Sequence, residues 1–248
     1  MTKTTEQGDN DMPMQTARAL ARLAENPVFS ALEPSQLRHL FHESQTRQFQ
    51  RGDSIFDAGQ ACEGLHAVLE GHVKVYARTP EGHEKVIDVV SRGHTLPGTH
   101  QVRTEPHSCH ARALNDTCLL IVPHEVLRRE LSSDRGMAAR LIDDACQQVR
   151  RMMREIEITS LCSASERVCD YLLNLPSRSE EARPSETPQP QSERTVVLPV
   201  SKGVVASLLS ITPEHFSRVL RELQSEGLID MQQRTIRLLA PSRLALRR

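Results

Sequence analysis

The stretch LSITPEHFSRVLRELQSEGLID, Leu209–Asp230, decides how this chain is read. Thr212 is a helix N-cap type, Pro213 suits the first helical position, and Glu214 suits the first turn. Phe216, Val219, Leu220 and Leu223 then recur at helical spacing, and Gly227 ends the run. The stretch is therefore a short amphipathic helix. Its other face carries Glu214, Ser217, Arg218 and Arg221.

The neighbours of this helix give it a context. TVVLPV, just upstream, reads as a strand, and Ser201 caps a helix running to about Leu209. A short turn around Ser210-Ile211 leads into the opening helix. Leu228–Asp230 and Thr235–Leu239 read as a hairpin. Two short helices, a tight turn and a hairpin make a winged helix-turn-helix. In such a motif the second helix lies in the major groove and its N-terminal residues meet base edges. Glu214 could accept from a cytosine N4 amine, and Arg218, one turn on, could take guanine O6 and N7 together. Ser217 suits a base or a phosphate, and Arg221 a phosphate. Ser201 and Lys202, at the start of the first helix, complete the expected DNA-contacting set. The alternative is an ordinary solvated helix face.

Composition agrees with a globular protein that has a polyanion-facing end. The chain has 248 residues, 38% hydrophobic and 25% charged, with a formal net charge of −1. From Thr195 onward the cations are Lys202, Arg218, Arg221, Arg234, Arg237, Arg243, Arg247 and Arg248, against Glu214, Glu222, Glu226 and Asp230. No apolar run approaches the ~20 residues that span a bilayer. The polar, acidic N-terminus does not read as a signal peptide, and no membrane partner is expected. Cys62, Cys109, Cys118, Cys146, Cys162 and Cys169 form no C-x-x-C pair and read as reduced thiols of a cytoplasmic protein.

The rest of the chain divides by pattern into an α+β protein. Residues 1–16 are expected to be disordered, and residues 17–133 to form the sensor domain. Helix is expected over 17–43, with a break at Asn26-Pro27. From about Arg47 to Pro123, short apolar runs (SIFDAG, LHAVLEG, HVKVYA, KVIDVV, CLLIVP) alternate with turns, the pattern of a small antiparallel β-roll. Gly52, Gly59, Gly71, Gly82 and Gly93 sit where such turns need positive φ. A long helix over 134–160 carries Ile142, Ala145, Val149, Met152, Ile156 and Thr159 at alternating steps of three and four, a coiled-coil seam. That predicts a parallel homodimer. A helix packed on its own domain is the alternative. Residues 161–248 form the winged domain. In it Ser163 and Glu166 make a capping box, and 177–194, rich in Pro, Ser and Glu, read as a flexible insertion.

The order of parts resembles the Crp/Fnr superfamily of transcription regulators, over nearly all of residues 20–245. The E-x-x-S-R of Glu214, Ser217 and Arg218 resembles the recognition helix of the Fnr and Dnr branches, which read palindromes of the type TTGAT-N4-ATCAA. "GHVKVYARTPEGHEKVIDVV", "REIEITSL", "RVCDYLLNL" and "LSITPEHFSR" are similar to the Dnr group of denitrification regulators. The resemblance implies a cyclic-nucleotide-binding-like roll, and as partners double-stranded DNA, RNA polymerase and a second copy of the chain. It implies a transcription regulator, activator or repressor, rather than an enzyme. The chain shows no G-x-S-x-G, P-loop or H-E-x-x-H.

The same resemblance locates an effector pocket over Pro97, Gly98, His100, His107, Ser108, Cys109 and His110. The cyclic-AMP branch holds its ligand with a Gly-Glu pair and an Arg-Ser pair. Here Pro97-Gly98 and His107-Ser108 stand in those places, so a cyclic phosphate loses its arginine. No cysteine precedes Cys62, which argues against the Fnr iron–sulfur cluster. The Dnr group implies heme and nitric oxide, with a ligand from the histidines between His94 and His110. A metal held by His107, Cys109 and His110, or oxidation of Cys146, Cys162 or Cys169, is the alternative signal.

Overall fold

The computed structural model describes residues 11–100, 105–177 and 194–247. The chain divides into two compact units, residues 1–150 and 151–248. The first opens with α1 (Asp11–Ala24) and α2 (Pro34–His42). Seven strands follow: β1 (Gln45–Phe49), β2 (Ser54–Phe56), β3 (Gly64–Glu70), β4 (His72–Arg78), β5 (Glu84–Ser91), β6 (His110–Ala113) and β7 (Thr117–Pro123). Then come α3 (His124–Ser133) and the long α4 (Arg135–Leu161), whose last turns belong to the second unit.

The strands form two antiparallel sheets, ordered β1-β7-β3 and β2-β6-β4-β5. Two strands, GLHAVLE and TCLLIVP, are almost continuously apolar, and the packing gives the reason. Leu65, Ala67, Leu69, Leu120 and Val122 meet Leu23, Leu40, Leu127, Met137 and Leu141 from the helices, with Phe29 from the turn between α1 and α2. Val68 and Leu119, pointing the other way, meet Phe56, Val73, Val75, Val90 and Ala111 of the second sheet. Sheet β1-β7-β3 is a middle layer, so both its faces need apolar side chains.

All five turn glycines take positive φ, from +80° at Gly93 to +96° at Gly52. Gly71, between β3 and β4, has a second constraint. A Cβ there would lie 2.6 Å from the Asp116 carbonyl oxygen and 2.8 Å from Thr117 Cα. No side chain fits, so the hairpin requires glycine.

The second unit contains α5 (Ala164–Asn174), β8 (Arg194–Val197), α6 (Lys202–Leu208), α7 (Pro213–Ser225), β9 (Ile229–Gln232), β10 (Thr235–Leu238) and α8 (Pro241–Ala245). Ser163 accepts from the Glu166 amide, and the Glu166 carboxylate accepts from the Ser163 amide, completing the expected box. The wing has three strands rather than two, because β8 pairs with β10 in the order β8-β10-β9.

Four boundaries differ from expectation. Helix α1 begins at Asp11, so residues 11–16 are helical rather than outside the fold, while 1–10 lie outside the described residues. Strands β1 and β6 have no apolar run to announce them. Strand β1 is a short edge strand paired with β7, and β6 is a four-residue strand held between β2 and β4. Helix α3 was also unforeseen between roll and long helix. Of the insertion 177–194, Ser177 bridges Val196 and Arg194 opens β8, and the remainder lies outside the described residues. Among the described residues no helix is long and apolar enough to cross a membrane.

Candidate nucleic-acid interface and sensor residues

The two short helices are set by caps at both starts. Ser201 accepts from the Val204 amide at 3.4 Å, and Thr212 accepts from the His215 amide at 3.2 Å. Between them Ser210 adopts φ +55°, and the Ile211 amide donates to the Ala206 carbonyl at 3.0 Å. Phe216, Val219, Leu220 and Leu223 are buried against α5, α6 and the wing. Glu214, Arg218 and Arg221 are exposed on the opposite side of α7, and Ser217 is half-buried beside them. The Arg218 guanidinium has only a loose contact within its own helix, 3.9 Å to Glu222. Arg221 Nε donates back to the Ser217 carbonyl at 3.3 Å. Ser201 is exposed and Lys202 half-exposed at the start of α6. The geometry therefore brings Glu214, Ser217, Arg218 and Arg221 onto one face. A cation fork and a carboxylate one turn apart can read base edges there.

One residue that supports this face was not visible in the sequence. Arg167 on α5 donates Nη1 to the Leu209 carbonyl at 2.8 Å, and the Ser210 carbonyl lies 3.4 Å from the same nitrogen. It thus holds the turn between α6 and α7 through backbone oxygens. Backbone acceptors carry no residue signature, so spacing alone could not reveal the contact.

The expected seam on α4 is open in the single chain. Ile142 (63%), Val149 (56%) and Ile156 (68%) are exposed, with Met152 and Thr159 exposed and Ala145 half-buried. A second stripe, Met137, Leu141, Asp144 and Gln148, is buried on the helix's own unit. The helix thus packs on its own unit through one stripe and leaves the expected seam exposed on another.

The effector residues do not share one pocket. Pro97 is buried, while Gly98 and Ser108 are exposed. His100 Nε2 lies 2.7 Å from Asp144 Oδ2 on α4. His110 Nδ1 lies 2.8 Å from Asp57 Oδ1, and this contact holds the Asp57 carboxyl below its usual range. The His110 ring also stacks on Tyr76, with centroids 5.1 Å apart. His107 turns inward onto Phe56, beside His66. Burial pushes the His107 pKa down and the His66 pKa down to about 4, so both imidazoles are neutral at pH 7. Cys109 packs against the core of the two sheets. The trio His107, Cys109 and His110 points in different directions and does not form the zinc site that its spacing suggested.

All six cysteines are free. Burial raises the thiol pKa of Cys62, Cys109 and Cys169, and pushes that of Cys118 up to about 11. These four stay protonated and so poorly nucleophilic. Cys146 is exposed and Cys162 half-buried.

Comparison with known proteins fits both units. Residues 46–134 match the family described as the cyclic nucleotide-binding domain, and residues 166–247 match the Crp-like helix-turn-helix domain. The fumarate and nitrate reduction regulatory protein of Vibrio cholerae is 23% identical over 193 residues, covering 78% of this chain and 74% of its own length. The nitrogen fixation regulation protein FixK of Bradyrhizobium diazoefficiens is 24% identical over 219 residues, 88% of this chain and 87% of its own. The solved structure of FixK2 from Bradyrhizobium japonicum matches the fold with a TM-score of 0.68, at 20% identity, over 82% of this chain and 96% of that one. The roll, the helix-turn-helix and their order along the chain make this protein a member of the Crp/Fnr family of DNA-binding transcription regulators.

Proposed function

We propose that the protein is a homodimer that binds a TTGAT-N4-ATCAA-like palindrome through α7 and is switched by a signal taken up in the roll. The observation that carries this reading is the outward face of α7, where Glu214, Ser217 and Arg218 stand opposite a fully buried stripe. The exposed heptad stripe on α4 supplies the second copy. Two recognition helices about one DNA turn apart, ~34 Å, would match the two half-sites. The names of the relatives, fumarate and nitrate reduction and nitrogen fixation, point to genes of anaerobic or nitrogen-oxide metabolism. Activation would act through RNA polymerase.

For the signal, the resemblance to the Dnr group points to heme and nitric oxide. Of the expected histidines, His107 suits an axial ligand best. It is buried against the Phe56 ring and its pKa is lowered by burial, which favours the neutral state that ligation requires. Bound there, heme would supply the atom that takes up nitric oxide. Thiol oxidation is the second reading: of its candidates, burial holds Cys169 protonated, which leaves the exposed Cys146 and half-buried Cys162. Replacement of the arginine and glutamate by His107 and Gly98 argues against a cyclic nucleotide.

The test is a mobility shift on the palindrome and on a scrambled duplex, with an anaerobic absorption spectrum taken before and after heme and nitric oxide. Selective binding of the palindrome supports the DNA reading, and equal binding of both duplexes refutes it. A Soret band that shifts with nitric oxide and is lost in His107→Ala supports the sensor reading. A flat spectrum after heme addition removes it.

A further inference from the structure

At the junction of the roll and the long helix, four polar side-chain atoms converge on one point. Thr95 Oγ1 lies 2.6 Å from Asp144 Oδ2 and 2.8 Å from His100 Nε2. His100 Nε2 and Asp144 Oδ2 are 2.7 Å apart. The Gln148 amide nitrogen lies 3.1 Å from Thr95 Oγ1, 3.2 Å from His100 Nε2 and 3.2 Å from Asp144 Oδ2. Thr95, Asp144 and Gln148 are buried, and the His100 side chain is nearly so. All six separations among the four atoms are thus contacts.

Hydrogen bonds alone do not account for six contacts. The threonine hydroxyl brings one proton, the amide two and the imidazole Nε2 at most one, about four in all. A single imidazole nitrogen also satisfies one neighbour, not three. A cation at the centre would satisfy every atom together. Four atoms separated by 2.6–3.2 Å leave a central point roughly 1.8 Å from each, so an outward shift of a few tenths of an ångström brings all four to the ~2 Å bond length of a first-row divalent ion to nitrogen and oxygen. A half-turn of the Gln148 amide presents its oxygen as ligand instead of its nitrogen. The buried Asp144 carboxylate supplies the negative charge that such an ion needs.

We propose that Thr95, His100, Asp144 and Gln148 form a binding site for a divalent first-row metal ion of the manganese-to-zinc group. One imidazole, one carboxylate and two neutral oxygens, with no thiolate, favour these ions over copper(I) or an iron–sulfur centre. Asp144 and Gln148 are four residues apart on α4 and so share a face. Thr95 is fixed to the roll by its bridge to Ala67. The ion would tie the 95–100 segment to α4 beside the exposed seam. The other grouping of this kind among the described residues, His39, Glu43 and Glu130, already encloses the Arg129 guanidinium, which bonds both carboxylates.

The test uses the full chain, stripped with a chelator and titrated with Co²⁺ and then Zn²⁺. It involves no DNA, so its outcome is independent of the palindrome reading. The site predicts one Co²⁺ per chain, with the visible bands of a tetrahedral nitrogen–oxygen ion, displaced by Zn²⁺. Asp144→Asn should weaken binding about 100-fold, and Gln148→Glu should keep or tighten it. Absence of visible bands, a sulfur-to-cobalt charge-transfer band, or unchanged affinity in both Asp144→Asn and His100→Gln overturns the site. Should Asp144→Asn fail to fold, the wild-type spectrum and Gln148→Glu decide.

Discussion

The His107 imidazole lies flat on the Phe56 ring, with centroids 3.6 Å apart and planes 2° from parallel. His66 meets both edge-on, at 5.6 Å and 5.9 Å. The stack is a piece of hydrophobic core built partly from titratable rings.

That arrangement sets an acid limit on the roll. An unfolded histidine titrates near 6.5, whereas His66 is held at about 4 by burial. Above pH ~6.5 both states are neutral and the group costs nothing. As pH falls toward 4 the unfolded chain binds a proton that the folded chain refuses, so stability drops, by roughly 3 kcal/mol for His66. Thermal unfolding followed by circular dichroism from pH 7 to pH 4 should show the decline, and His66→Leu should reduce its slope. Equal slopes in the two proteins would contradict the assignment.

Arg167 predicts an effect on DNA binding from a residue behind the recognition face. Arg167→Met removes the charge-assisted bond to the Leu209 carbonyl, at a cost of about 1–3 kcal/mol to the winged domain. Binding to palindromic and scrambled duplexes should weaken by a similar factor, because what loosens is the turn, not a base contact. A loss confined to one base position would place Arg167 on the DNA instead.

Arg218→Ala and Arg221→Ala should separate readout from adhesion. The first should cost about 1–3 kcal/mol and relax preference at the guanine of the half-site. The second should weaken all sequences alike and lower the salt slope by about one. Competition assays with single-base operator variants, repeated at several salt concentrations, measure both.

Ile156→Glu should break the dimer. Ile156 is exposed in the single chain, and the substitution faces two carboxylates across a parallel seam. Sedimentation should show the dimer dissociation constant raised about 100-fold, near 3 kcal/mol. An unchanged constant would place the interface elsewhere.

The residues that were legible in the sequence are those whose signal is local. The Thr212 cap, Pro213 and the Phe216–Leu223 stripe set α7 within one residue of expectation. The turn glycines were equally plain, because positive φ is a property of one residue. Strand β6 was hidden because its alternation, HARA, is only four residues long with alanine as its apolar residue, and its pairing with β2 and β4 is long-range. The effector residues, grouped by the resemblance to a nucleotide pocket, part company because each finds a different partner. His107 points inward, His110 faces Asp57, and His100 reaches α4 across 44 positions of chain. Sequence proximity along an irregular segment does not set the direction of its side chains, and the long-range partner does.

The bridge between Ser177 and Val196 closes the chain on either side of residues 178–193. Departure and return points therefore stand next to each other, whatever lies between. Changing the length of such a connection alters closure entropy only slowly, about 0.6 kcal/mol for each doubling. This is the place to splice in a purification tag or a fluorescent reporter without disturbing the helix-turn-helix.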